Sequence, residues 1–195
     1  MDLNSMSYAR DITPILVIGI MIAVFYVSIF WAQINTMPHE MIYLFLPHGV
    51  RMLAFILLRH ASIPVMIIAQ FTAGYFLDDI YPAASIILFA GAAISTLCPV
   101  IGYWLLRFFR IDPVPTDISK PLHWGYLLLF LAASTLFNGT CIAFLQVFVA
   151  GIDANYFEFA GALMVGDILG SLAVVVGYFL VKNSFELGQK LYRRL

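Results

Sequence analysis

Residues 157–181 read FEFAGALMVGDILGSLAVVVGYFLV. A membrane span needs about 20 largely apolar residues, and this stretch meets that with one acid, Asp167, near its middle. Residues 41–58, MIYLFLPHGVRMLAFILL, repeat the pattern with the opposite sign. Arg51 follows Met41 by ten residues, as Asp167 follows Phe157. At about 1.5 Å per residue both charges lie on the order of 15 Å below the same boundary. An ionisable group at that depth is costly, and marks a functional or register-setting site by default. Equal depth makes Arg51 and Asp167 a natural pair. Gly166 and Gly170 flank Asp167 in a small-xxx-small pattern that lets helices approach closely, so the second and sixth segments are expected to touch at this level.

Composition gives the class. The chain of 195 residues is 63% hydrophobic and 11% charged, with a mean hydropathy of +0.95. Soluble domains carry about 25% charged residues. The expectation is an all-α, polytopic membrane helix bundle. A formal charge of −1 argues against a nucleic-acid partner, which needs a concentrated basic surface. Cys98 and Cys141 lie in separate apolar segments, are not spaced as metal ligands, and read as buried small hydrophobes. No metal or cofactor is implied.

Six spans are predicted: Ile12 to Gln33, Met41 to Leu58, Ala61 to Leu77, Pro82 to Phe108, Leu122 to Ala150 and Phe157 to Val181. Residues 1–11 form a polar N-terminal segment, 12–181 the membrane domain and 182–195 a short basic tail. The second and third spans are short and joined by Arg59-His60. The fifth is long and is expected to tilt or kink around Asn138-Gly139. Arg10, Arg59, Arg107, Arg110, Lys120, Lys182, Lys190, Arg193 and Arg194 alternate onto one side, which the positive-inside rule makes cytoplasmic, together with both termini. Glu40, Asp78, Asp79, Asp153 and Glu158 form an acidic outer rim. The tail SFELGQKLYRRL reads as a short amphipathic helix for anionic lipid or a partner.

Pro47 and Gly49 interrupt the second segment, so its helix is expected to kink or to restart with Pro47 in its first turn. A restart would turn the amides of His48, Gly49 and Val50 into the bundle beside Arg51, and both an arginine fork and a helix N-terminus suit an anion. The site residues are therefore Arg51, Asp167, His48 and Gly49, with Pro47, Gly166 and Gly170 shaping the kink and packing. His39 and Glu40 do not converge as metal ligands. Gln70, Thr72, Asn138, Thr140 and Gln146 are polar groups inside spans, most of them expected as interhelical hydrogen bonds. Trp31, Trp104 and Trp124 fall near span ends, where they anchor at the interface. Ser95, Ser134 and Ser171 have no evident base, and no nucleotide loop, zinc motif or nucleophile elbow is present, so no catalytic residue is assigned.

The run LFLPHGVRMLAFILLRHASIPVMIIAQFTAGYFL resembles the first block of the MASE1 family of bacterial membrane sensor domains through Pro47, Gly49 and Arg51. GDILGSLAVVVGYFLV is similar to its late block through Gly166, Asp167 and Gly170. The resemblance implies a sensory or partner-binding module in a bacterial inner membrane. Family members carry a cytoplasmic output domain after the last helix, whereas this sequence ends fourteen residues after Val181. A stand-alone, non-catalytic sensor or accessory subunit is therefore expected. It would contact lipid and another membrane protein and, through Arg51, a small anionic ligand. A small solute transporter and a purely structural subunit are the alternatives.

Overall fold

The computed structural model describes residues 18–29, 44–76, 85–114 and 124–192. Arg10, Trp31, His39, Glu40, Asp78, Asp79, Lys120, Arg193 and Arg194 lie outside them. Among the described residues every regular element is helical: α1 (Ile18–Ile29), α2 (Leu46–Leu58), α3 (Ser62–Phe76), α4 (Ser85–Phe108), α5 (Trp124–Phe144) and α6 (Tyr156–Tyr192). Four stretches of these residues are long and apolar enough to cross a membrane: Leu46–Ala73, Ile86–Phe108, Trp124–Val149 and Tyr156–Lys182.

The first of these four is not one rod. A 3₁₀ turn, Arg59–Ala61, joins α2 to α3, and Arg59 has φ +55°. Arg51 Nη1 donates to Gln70 Oε1 at 2.6 Å across nineteen residues of sequence. A continuous helix would hold those positions about 28 Å apart, so α3 doubles back along α2. Both members are short, at 13 and 15 residues.

Contacts along the other helices fix their directions. Gly91 lies against Leu145 and Gly102 against Ser134, so α4 and α5 are antiparallel. Asn138 meets Asp167 and Trp124 meets Phe179, so α5 and α6 are antiparallel too. Phe45 meets Gly166 and Gly49 meets Gly170, so α2 and α6 run parallel. An alternating chain requires that relation for its second and sixth segments. The apolar core lies between these helices, with Phe55 of α2 packed on Tyr103 of α4 and Phe130 of α5 at centroid distances of 5.5 and 5.8 Å. α1 joins it through buried Phe25 and a hydroxyl bond from Tyr26 to Thr72 of α3.

Several boundaries differ from the sequence expectation. α2 starts at Leu46 rather than Met41, because Pro47 sits in its first turn and Leu44 and Phe45 are not helical. α5 passes unbroken through Asn138-Gly139. There Gly139 is used for packing, since a Cβ would meet the Ala160 carbonyl and the Met164 side chain. The surplus length is absorbed instead by a π turn, Leu145–Val149. The tail is not a separate helix: α6 continues without a break to Tyr192. Cys98 is buried as expected, but Cys141 is exposed.

Candidate polar site at the α2–α6 crossing

Pro47 has no N–H to leave unsatisfied, so the first helical turn accepts it without loss. The chain before it is not helical, and a non-helical amide in an apolar interior needs an acceptor. Phe45 N–H finds one in the Gly166 carbonyl of α6 at 3.0 Å. That bond requires backbone contact, and glycine permits it. A Cβ on Gly170 would lie 2.2 Å from the Phe45 carbonyl oxygen, and one on Gly49 would lie 2.5 Å from the Gly170 oxygen. The α2–α6 crossing is thus built on three glycines and one proline.

This crossing brings the predicted residues together. His48 and Arg51 stand three apart, on one face of α2. His48, Arg51 and Asp167 are 0%, 2% and 1% exposed. Arg51 is held from two helices: Nη1 donates to Gln70 of α3, Nη2 lies 3.4 Å from His48 Nδ1, and the guanidinium stands 5.9 Å from the Phe45 ring centroid. Asp167 Oδ2 accepts from Asn138 Nδ2 of α5 at 2.6 Å and lies 3.9 Å from the same His48 Nδ1. The arginine and the acid therefore flank one nitrogen of His48, but among the described residues they make no direct ion pair, so the expected pair is a near approach with His48 between them. Among the described residues the group holds one cation and one anion.

Ser134 of α5 completes the set, with Oγ 3.3 Å from His48 Nε2. It thus has the imidazole neighbour that sequence reading did not find. Serine, histidine and aspartate then take the order of a hydrolytic triad, but the hydrogen bonding opposes that chemistry. Arginine has donors only, so Nδ1 must accept from Arg51. Nε2 then carries the proton and donates to Ser134, leaving no lone pair to activate the hydroxyl. At 3.9 Å the Asp167 oxygen is also too far to orient the ring by a hydrogen bond.

Gln70 and Asn138 act across helices as expected. Thr140 does not, because its hydroxyl returns to the Leu136 carbonyl of its own helix at 2.7 Å. Thr72 likewise bonds Ile68 at 2.8 Å while meeting Tyr26. Gln146 falls in the π turn, where its carbonyl accepts from the Ile152 amide. Four buried oxygens along α5 and α6 have no hydrogen-bond partner among the described residues: Thr135 Oγ1, Asn138 Oδ1, Asp167 Oδ1 and Ser171 Oγ. Unmet capacity of this kind is rare in a packed interior.

An all-helical bundle with apolar stretches of spanning length and a sealed ionic centre defines a membrane-embedded class of protein. No protein-family model, curated protein or solved structure matches the chain.

Proposed function

We propose that the chain is a six-span, non-catalytic sensor or accessory subunit of a bacterial inner membrane, with both termini cytoplasmic, working through a partner membrane protein. The observation that carries this reading is the continuity of α6. It bears Asp167 at the polar centre and runs for 37 residues, about 55 Å. Aromatic residues supply a ruler along it. Exposed Phe157 marks one end of the apolar zone, and half-buried Phe179, edge-on to exposed Trp124, marks the other. They are about 33 Å apart, close to the roughly 30 Å of a hydrocarbon core. Asp167 is then near mid-depth, and the helix beyond Lys182 projects past the membrane as a rigid extension.

Charge supports the orientation. Among the described residues, Arg59, Arg107, Arg110 and Lys182 gather at the Trp104–Trp124 end, while Asp153 and Glu158 mark the other. A change at the polar centre that shifts α6 against α2 is passed along one helix to a cytoplasmic partner. A small anionic ligand at Arg51 would compete with Gln70 and His48 and loosen the α2–α6 crossing, so recognition and movement are coupled at this site. The motif resemblance to membrane sensor domains points the same way.

The test is purification of the tagged chain from native membranes in mild detergent, beside Ser184→Pro, which breaks α6 outside the apolar zone. Co-elution of a second membrane protein with the wild-type chain, lost with the proline, is expected. A chain that elutes alone as a monomer overturns the reading. Flux of an anionic solute by the chain alone in liposomes would make it a transporter instead.

A further inference from the structure

At the basic end of the bundle the α2–α3 turn meets the end of α4. Arg59 Nη2 donates to the Val114 carbonyl at 2.9 Å and its guanidinium stands 5.8 Å from the Tyr103 ring, so the turn is stapled to the chain that leaves α4. Exposed His60 lies nearly parallel to Trp104, with centroids 6.3 Å apart and planes at 19°. One turn on, Arg107 pairs with Asp112 at 2.9 Å, both well exposed, and Arg110 follows on the exposed turn with φ +60°. Trp104, Phe108 and Phe109 present large apolar surface to the outside at the same level. Three arginines face one acid here among the described residues.

The opposite end supplies the contrast. Phe148, Tyr156 and Phe157 stack there in a similar aromatic group, with Phe148 and Phe157 exposed. The charges beside it are Asp153 and Glu158, with no described cation. Exposed aromatic rings suit both membrane interfaces, so aromatic content does not separate the ends, whereas sign of charge does. A guanidinium pairs with phosphate through two parallel hydrogen bonds, and a basic juxtamembrane group attracts anionic lipid.

We propose that the rim of His60, Trp104, Arg107 and Arg110 is a binding site for the phosphate headgroup of an anionic phospholipid. The arginines take the phosphate, and Trp104 and Phe108 lie along the upper acyl chains. The site requires a membrane-embedded bundle but no partner protein, so it stands or falls separately from the sensor reading.

The experiment is native mass spectrometry of the detergent-purified full chain. Phosphatidylglycerol and phosphatidylcholine of identical acyl chains are offered at equal concentration. Wild type should retain phosphatidylglycerol in preference. Arg107→Gln/Arg110→Gln should lose that preference by roughly 5-fold for each arginine removed. Arg107→Lys/Arg110→Lys should recover part of it, and Glu158→Gln at the far end should leave it unchanged. If the double variant does not fold, Arg110→Gln alone supplies the comparison. Equal retention of the two lipids by wild type overturns the proposal, as does an unchanged preference in the arginine variants. Complete displacement of phosphatidylglycerol by millimolar inorganic phosphate also overturns it, in favour of a free-anion site.

Discussion

Two places among the described residues bring an arginine near an aspartate, and they differ in almost everything else. At the rim, Arg107 and Asp112 touch directly at 2.9 Å with side chains 45% and 39% exposed. At the centre, Arg51 and Asp167 are 2% and 1% exposed. His48 lies between them, and each has an amide partner from a further helix. The rim contact is the simpler one, yet both side chains are more than a third exposed, so little is lost when either is removed. At the centre no solvent is available to replace a deleted partner. Burial, rather than closeness, decides what each arrangement is worth.

The largest effect should therefore come from emptying one side of the centre. Arg51→Ala and Asp167→Ala should each cost about 3–5 kcal/mol, because each removes one charge from a buried group that water does not reach. In the double variant the charges cancel again, and part of the loss should return. Thermal unfolding in mild detergent measures all three, and the shortfall from additivity is the coupling. Strict additivity of the two single effects would mean that His48 does not connect them, and the contrast between centre and rim would then be one of burial alone.

How much of the centre was legible follows from what kind of information each part needs. Arg51 and Asp167 stood out because a charge in an apolar run is visible locally, and their common depth follows from counting residues. Pro47 announced a helix restart for the same reason. Gln70, Asn138 and Ser134 were visible as polar residues, but their partners depend on how α3 and α5 are rotated against α2 and α6, and local patterns do not carry that register. Asn138-Gly139 was ambiguous because a glycine can bend a helix or admit a neighbour, and here α5 runs on without a break while Met164 and Ala160 lie against Gly139. The sixth span was legible to within a residue at each end, but its continuity into the tail was not, because hydropathy falls after Val181 while helix-forming residues continue through Glu186, Gln189 and Lys190.

A smaller effect should follow from separating the helices without touching a charge. Gly170→Val places a branched side chain where even a Cβ would lie 2.2 Å from the Phe45 carbonyl oxygen. The obstacle is backbone, so α2 must move away, straining the Phe45–Gly166 hydrogen bond. The loss should be about 1–3 kcal/mol, the usual range for overpacking. Disulfide trapping between cysteines introduced at Leu46 and Gly166 reports the separation directly. Unchanged trapping in Gly170→Val would show that the crossing tolerates the bulk, and that the charges, rather than the glycines, hold α2 on α6.

The rim should respond least. Asp112→Asn removes the one described acid beside Arg107. Surface pairs contribute at most about 1 kcal/mol and are screened by salt, so the unfolding midpoint should scarcely move. What changes is the charge that Arg107 offers to the outside. If the rim serves the bundle only as a helix-end contact, the variant is silent in every assay. If it serves lipid, the same substitution raises phosphatidylglycerol retention while stability stays constant. At the centre no such separation is available, because each charge there is part of what holds the helices together. A fall of several kcal/mol in Asp112→Asn would show that the exposed pair, like the buried one, is structural, and would remove the distinction drawn between them.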